Sequence, residues 1–166
     1  ENILSDEKYK LILRPHIMSM KNDKKIINKI LKKYQKNNNF FYDDSNHSIK
    51  SLLKSSILIT DWGSTSVDFG FGLGKPVIFF DTKMKIKNKN YINISNKIFE
   101  LDFRNKLGKI LQLSQVNELH STINGLNQNN NWAFNDNNLD NFIFNIDNNF
   151  YSKAKIIDEI LRIKSF

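Results

Sequence analysis

The sequence predicts an α/β protein in which a parallel sheet is flanked by helices. Two short runs, residues 57–60 and 76–80, are continuously apolar, which is typical of strands buried on both faces of a parallel sheet. Apolar side chains also recur with the period of a helix, most clearly over residues 24–36. Because strands and helices alternate, we expect right-handed β-α-β units around a Rossmann-like sheet.

Local patterns predict four elements before the first buried strand. Residues 9–14 are an apolar run that ends at Pro15, which predicts a strand. Polar capping residues precede residues 24–36, whose apolar stripe predicts a helix. The aromatic residues 40–42 predict a second strand, and a second polar cluster precedes a predicted helix over residues 47–54.

The next three elements complete the pattern. Residues 57–60 predict a strand, and residues 63–73 a helix that Gly63 opens and Gly74 ends. Residues 76–80 predict the fourth strand. The first half of the chain is therefore predicted as β-α-β-α-β-α-β.

The second half is less regular. Helices are predicted over residues 107–113 and 116–126. We predict one nucleotide-binding domain over residues 1–126, an Asn-rich loop or linker over 127–149, and a C-terminal helix over 150–166 that packs on the domain.

Composition narrows the class of protein. A chain of 166 residues can bury a core as one domain. The absence of cysteine excludes a disulfide scaffold, a thiolate zinc site and a cysteine nucleophile. No apolar run approaches the roughly 20 residues of a membrane helix, and no signal peptide is visible. A cytoplasmic protein is predicted, and the lack of an initiator Met favours a piece of a longer chain.

The net charge of +8 suggests an anionic partner. The excess is mostly scattered lysine, however, and this distribution favours a solvated basic surface for much of it. Nucleic acid, anionic lipid and phosphates on a small molecule all remain open from charge alone.

Three polar segments follow predicted strands. They are Arg14-Pro15-His16, the segment of residues 61–66, and Asp81-Thr82-Lys83. Ligands of open parallel sheets bind outside the carboxyl ends of the strands. We therefore expect the three segments to meet at one site.

The middle segment is the most informative. Gly63 allows close approach of a ligand to the backbone, and Ser64, Thr65 and Ser66 are expected to offer hydroxyl and backbone N–H groups that suit a phosphate. Asp68 lies about one helical turn further on and suits ribose hydroxyls. A simple helix cap without a ligand is the alternative interpretation.

Arg14, His16 and Trp62 each have both a functional and a structural interpretation. Arg14 suits a phosphate or a surface ion pair, and His16 suits a phosphate contact, acid catalysis or a structural role. Trp62 packs either on a ligand or on the core, and Asp61 lies beside it. The sequence contains neither the Gly-Lys-Ser of a P-loop nor G-x-S-x-G, and it calls for no metal or other cofactor.

Taken together, the motifs resemble the CDP-glycerol glycerophosphotransferase family. The resemblance covers roughly residues 10–126. It is carried by Arg14-Pro15-His16, by the run of residues 52–64 that ends Ile59-Thr60-Asp61-Trp62-Gly63-Ser64, by Asp68-Phe69, and by residues 74–81. Ser56 and Trp62-Gly63 depart from the residues that the family commonly has there.

The resemblance implies the C-terminal, donor-binding half of a GT-B transferase. By resemblance, His16 contacts the diphosphate of the donor and acts in catalysis, Gly63, Ser64 and Thr65 hold the pyrophosphate, and Asp68 holds the ribose. Arg14, Asp61 and Trp62 complete the expected donor site. The expected donors are CDP-glycerol, CDP-ribitol or a UDP-sugar.

The same resemblance implies partners. The acceptor is expected to be a lipid-linked or polymeric cell-surface molecule of teichoic-acid or capsule type, which suits a peripheral contact with the inner face of the membrane. An N-terminal GT-B domain is expected to be missing, so this chain alone should bind donor without turnover. A nucleotide-sugar epimerase of the same fold, a non-catalytic nucleotide-binding or scaffold module, and a nucleic-acid-binding domain remain as alternatives.

Overall fold

The computed structural model describes residues 3–45, 49–84, 90, 93 and 99–128, without the side chains of residues 99, 100 and 102. These residues belong to the first of the two units into which the chain divides, Glu1–Trp132. Nearly all of the predicted linker and the whole predicted C-terminal helix lie outside the described residues, so both stay predictions. Asn127 and Gln128, the first two residues of that linker, still belong to a helix.

The N-terminal part forms a two-stranded parallel sheet with two helices between its strands. Its elements are β1 (Leu11–Leu13), α1 (Ile17–Asn22), α2 (Lys24–Tyr34) and β2 (Phe40–Tyr42). Leu11 pairs with Phe40 and Leu13 with Tyr42. Helix α2 buries Ile27 and leaves its lysines in solvent, as its amphipathic pattern predicts.

A three-stranded parallel sheet follows, in the order β3-β4-β5. Its strands are β3 (Leu58–Thr60), β4 (Val77–Asp81) and β5 (Gly108–Gln112). Helix α3 (Lys50–Lys54) precedes β3, and α4 (Thr65–Val67) with a π-helix (Asp68–Gly72) lies between β3 and β4. Helix α5 (Phe99–Leu107) precedes β5, and a 3-10 helix (Leu113–Glu118) and α6 (Leu119–Gln128) follow it. The α/β prediction with parallel sheets flanked by helices is confirmed. Each of the four predicted strands lies within two residues of its expected bounds.

The helix predicted over residues 63–73 is mostly a π-helix. An added Cβ at Gly70 would collide with the side chain of Leu107, so glycine permits the close packing of this segment on the end of α5. Gly74 has φ +62°, in the left-handed region that glycine adopts readily, and it ends the segment as predicted.

The helix predicted over residues 107–113 is wrong, because residues 108–112 form β5. Leu107, Ile110 and Leu111 have helical spacing, but pairing with β4 overrides that local pattern. Gly108 pairs with Val77, and an added Cβ at Gly108 would collide with the Val77 backbone. Only glycine fits this close approach of the two strands.

The core belongs to the three-stranded sheet. The side chains that are almost completely buried are Phe69, Val77, Ile78, Phe79, Leu107 and Leu111. All three residues of β1 are only half-buried, and Phe41 and Tyr42 of β2 are exposed. All three residues of β3 are also only half-buried, so the prediction that this strand is buried on both faces is wrong. The two sheets therefore differ in cover mainly because β4 is buried.

Residues 3–9, called the N-terminal strap below, pack on the core of the three-stranded sheet and on helix α6. Ile3 and Tyr9 lie against the cluster of Ile78, Leu111 and Ile123. The Tyr9 hydroxyl donates a hydrogen bond to the side chain of Asn124, and His120 Nε2 lies 3.1 Å from Asp6 Oδ2. The backbone N–H of Lys8 and the side chain of His120 lower the pKa of Asp6. The strap is thus joined to α6 by both apolar and polar contacts.

Candidate functional site

A pocket of about 80 Å³ lies at the carboxyl ends of β3 and β4. The loop after β3, strand β4 and helix α5 supply its lining, which consists of Asp61, Trp62, Gly63, Ser64, Ser66, Phe79, Phe103 and Arg104. Trp62 Nε1 donates a hydrogen bond to the Thr82 carbonyl oxygen at 2.7 Å. The second and third polar segments from the sequence therefore lie together, as expected for neighbouring parallel strands.

The turn after β3 is held by Ser66. This serine is buried, and its hydroxyl donates to the Gly63 carbonyl oxygen at 2.6 Å. Its proton is therefore used inside the turn. The side chain of Ser64 is exposed and makes no capping hydrogen bond, so its hydroxyl can reach a ligand. The alternative of a helix capped by the Ser64 side chain is not seen.

Gly63 has room for a side chain in the folded protein. An added Cβ would lie 3.6 Å from Thr60 Oγ1, which is an ordinary contact. The fold itself thus does not demand glycine at this exposed position, whereas a ligand that approaches the backbone closely would.

Thr65 and Asp68 lie further along the same segment. Thr65 is the first residue of α4 and is half-buried, and Asp68 begins the π-helix and is exposed. Neither lines the pocket, and Asp61 lies at it with an exposed side chain. The exposed Asp68 carboxylate can accept hydrogen bonds from outside the protein.

Arg104 is the residue that sequence reasoning missed. It is only 4% exposed, and its Nη1 donates to Asp81 Oδ1 at 3.0 Å. The guanidinium carbon lies 3.9 Å from the ring centroid of Trp62, a cation–π contact. Trp62 therefore packs against a protein cation. No local signal in the sequence marks it, because Arg104 shares the buried side of α5 with Phe103 and Leu107 only in the tertiary structure.

Asp81 is held between two donors. Arg104 donates to one carboxylate oxygen, and Gln112 Nε2 donates to the other at 3.1 Å. These two hydrogen bonds, that of Arg104 first, lower the pKa of Asp81. The carboxylate is thereby kept ionised and fixes the position of the guanidinium.

Two nitrogen atoms of Arg104 are buried without a hydrogen-bond partner among the described residues. They are Nε and Nη2. A buried donor that is left unpaired costs about 1–3 kcal/mol of stability, and more when the group is charged. Such groups in native proteins call for an explanation.

Arg14 and His16 lie at the carboxyl end of β1, in the other sheet. Arg14 Nε is 3.9 Å from Asp43 Oδ2, and the side chain is 26% exposed. Neither Arg14 nor His16 lines the pocket. The structure thus brings two of the three predicted segments together at the pocket and leaves the third at the end of the smaller sheet.

His16 is exposed and caps α1. Its Nδ1 accepts a hydrogen bond from the Met18 backbone N–H at 3.2 Å. In a neutral imidazole that accepts at Nδ1, the proton is on Nε2. The cap therefore leaves Nε2–H free to donate to a ligand.

Asp43 belongs to a polar cluster beside Arg14. Its pKa is lowered to about 2, first by the Ser45 side chain, then by the Ser51 side chain, and only lastly by Arg14. The carboxylate of Asp43 is thus held ionised mainly by hydroxyl groups.

Comparison with known proteins gives one result. No curated protein and no solved structure matches the chain significantly. Among the described residues, no helix has the length and apolar character needed to cross a membrane. A sequence model of the family described as CDP-Glycerol:Poly(glycerophosphate) glycerophosphotransferase matches residues 3–137. That range is most of the chain, so the family resemblance is confirmed. The chain belongs to the CDP-glycerol:poly(glycerophosphate) glycerophosphotransferase family, a family of transferases.

Proposed function

We propose that this chain binds the nucleotide diphosphate donor of a glycerophosphotransferase reaction, with CDP-glycerol as the first candidate donor. The observation that carries the proposal is the pocket at the carboxyl ends of β3 and β4, which Gly63 and the exposed Ser64 line. Ligands of parallel α/β sheets bind at this edge, and the family is named for a CDP-glycerol substrate.

The volume of the pocket indicates which part of the donor it can hold. Pockets that enclose a whole small-molecule ligand hold roughly 300–1,000 Å³, and this one holds about 80 Å³. It suits a phosphoryl group rather than an entire nucleotide. The nucleoside would then lie on the surface beside it, where exposed Asp68 is available to the ribose hydroxyls and Gly63 and Thr65 flank the diphosphate.

In the proposed reaction, a hydroxyl oxygen of the acceptor bonds to the phosphorus that carries glycerol, and its proton passes to a base that the acceptor-binding domain would supply. The phosphoanhydride bond breaks, CMP leaves, and negative charge grows on its phosphate. Donors fixed at that oxygen would stabilise the charge. Ser64 supplies a hydroxyl, and His16 Nε2–H and Arg14 supply donors from the end of β1.

The acceptor is proposed to be a cell-surface polymer or its lipid-linked precursor, which the family description favours by naming poly(glycerophosphate). The net charge of +8 suits a peripheral contact with an anionic membrane. We also propose that the chain forms the donor-binding half of a GT-B arrangement, in which a second domain brings the acceptor and its base. The chain alone is then expected to bind donor without turnover.

Calorimetric titration tests the donor. We expect CDP-glycerol and CDP to bind and UDP, GDP and ADP to bind more weakly. Ser64→Ala and His16→Ala should each weaken CDP-glycerol binding about tenfold, the effect of losing one hydrogen bond to a charged group. Ser56→Ala is the matched control, because Ser56 is exposed and precedes β3 at the opposite end of the strand.

The possible results separate the functions. Binding of a UDP-sugar in preference to CDP compounds would show that CDP-glycerol is not the donor, and it would favour an epimerase or another sugar enzyme. Failure of every nucleotide diphosphate to bind would contradict the proposal and favour a scaffold module. Salt-sensitive binding of random oligonucleotides alone would favour a nucleic-acid protein.

A further inference from the structure

Arg104 is positioned by three neighbours and still has one edge unused. Asp81 accepts from Nη1, and the rings of Trp62 and Phe79 lie 3.9 Å and 5.1 Å from the guanidinium carbon. Nε and Nη2 are buried and have no hydrogen-bond partner among the described residues. These two nitrogens form one side of the planar guanidinium, with their N–H bonds nearly parallel.

That geometry matches one chemical class of ligand. Two parallel N–H donors bind two oxygens of a phosphoryl or carboxylate group in a bidentate contact. Within the described residues, carboxylate Asp81 already occupies Nη1, and its second oxygen accepts from Gln112. The edge formed by Nε and Nη2 is therefore available to an oxyanion from outside the protein.

The pocket favours phosphoryl over other oxyanions. Ser64, which lines it with Arg104, adds a neutral hydroxyl donor that suits a third oxygen of a tetrahedral group. The rings of Trp62 and Phe79 lie against the guanidinium, which is only 4% exposed, and this burial strengthens its interaction with an anion. The Asp61 carboxylate is exposed to solvent, which screens its repulsion of the anion.

We propose that Arg104 binds a phosphoryl group of the donor through Nε and Nη2, and that Asp81 and Trp62 are the positioning residues that present this edge to the pocket. The diphosphate identity of the ligand rests on the proposed function. The capacity to bind a phosphoryl group rests on Arg104 and its surroundings alone.

The first test needs no variant of Arg104. The chain has three arginines, Arg14, Arg104 and Arg162, so their Nε–H signals can be resolved by ¹⁵N NMR and assigned by single Arg→Lys changes at the other two. Inorganic pyrophosphate and CDP are added separately to the full chain. The Arg104 Nε–H signal should shift and become protected from exchange with solvent as each probe saturates the protein.

The second test measures affinity. Arg104→Lys keeps the charge but removes the paired donors, and Arg104→Gln removes both. We expect about a tenfold or greater loss of affinity for pyrophosphate and CDP in each variant, since charge-assisted bidentate contacts are among the stronger hydrogen bonds. Lys109→Gln, which removes one positive charge from an exposed position on β5, is the control and should retain the affinity of the unaltered protein.

The outcomes distinguish this inference from the proposed function. If CDP binds and the Arg104 signal does not move, the inference is wrong and the proposed function stands. If pyrophosphate binds through Arg104 while no CDP compound binds more tightly than pyrophosphate, the phosphoryl site stands and the CDP donor does not. If neither probe binds, both fail. The NMR result decides the matter if the Arg104 variants do not fold.

Discussion

The two parallel sheets place an arginine and an aspartate at the same end of their strands but surround them differently. In the three-stranded sheet, Arg104 is 4% exposed and lies 3.0 Å from Asp81. In the two-stranded sheet, Arg14 is 26% exposed and lies 3.9 Å from Asp43. Aromatic rings cover Arg104, whereas its partner Asp81 is 36% exposed. Arg14 and Asp43 are both half-buried, and serine hydroxyls lie beside Asp43.

The difference indicates a division of roles between the two sheet ends. A buried cation held by fixed neighbours suits oriented binding, because little water competes for its hydrogen bonds. Arg14 and Asp43 are half-buried, and their longer separation of 3.9 Å makes theirs the weaker ion pair. His16, which lies near Arg14 in the sequence, is exposed, so it can contact a ligand that is held mainly by another part of the protein.

The largest expected contrast is in stability. Phe79→Ala removes a side chain that is 1% exposed and should lower the free energy of unfolding by about 3–5 kcal/mol. Phe41→Ala, in a strand whose Phe41 is 45% exposed, should cost less than about 1.5 kcal/mol, in proportion to the smaller apolar area removed. Urea denaturation followed by circular dichroism measures both. Equal losses would show that the two sheets are equally well packed.

A smaller contrast is expected between glycines. Gly108→Ala places a Cβ against the backbone of Val77, so β4 and β5 must move apart at a cost of about 1–3 kcal/mol or more. Gly63→Ala meets only an ordinary contact and should change stability by less than about 0.5 kcal/mol. If a donor phosphate passes close to Gly63, however, Gly63→Ala should weaken CDP binding while thermal unfolding stays unchanged. A destabilised Gly63→Ala protein would contradict this account of the turn.

The smallest expected effect is on the pKa values of Asp81 and Asp43. Arg104→Met should raise the pKa of Asp81, because Arg104 is the largest cause of its depression. Arg14→Met should leave the pKa of Asp43 close to its value of about 2, because the Ser45 and Ser51 hydroxyls contribute more. Carboxyl ¹³C signals followed against pH report both values. A large rise for Asp43 in the Arg14 variant would show that the two pairs are alike after all.

The sign of the stability effect follows from the direction of the shift. A carboxyl whose pKa is lower in the folded state stabilises the protein above its unfolded pKa of about 3.9. That contribution is lost as the pH falls through the folded pKa. The stability difference between the unaltered protein and Arg104→Met should therefore narrow below about pH 4.

The sequence alone predicted the α/β class and the positions of four strands, because short apolar runs between turn residues mark strands. It did not predict how deeply each strand is buried, since β4 is covered but β3 is only half-buried. It also placed the loop at residues 61–66 beside residues 81–82, since adjacent parallel strands end at one edge. It failed at residues 107–113, where Leu107, Ile110 and Leu111 fit a helix as well as a strand. Only the pairing of β5 with β4 decides between the two, and that pairing is a non-local contact.

Arg104 could not be found from local pattern either. No helix was predicted over residues 99–107, where Arg104 is one of several charged residues. Its role depends on Asp81 and Trp62, which lie 23 and 42 positions earlier in the sequence. Its place on the buried side of α5, beside Phe103 and Leu107, is visible only in the tertiary structure.

The strap of residues 3–9 has a consequence for the order of folding. Its hydrogen bond from Tyr9 to Asn124 joins residues 115 positions apart, whereas β3, β4 and β5 pair over much shorter separations. Closing the longer loop costs more chain entropy, so the strap should dock after the sheet has formed. Until it docks, the cluster of Ile78, Leu111 and Ile123 lacks part of its cover. We therefore expect a stage of folding in which the sheet is formed, this cluster is partly exposed to water, and association with other chains competes with docking of the strap.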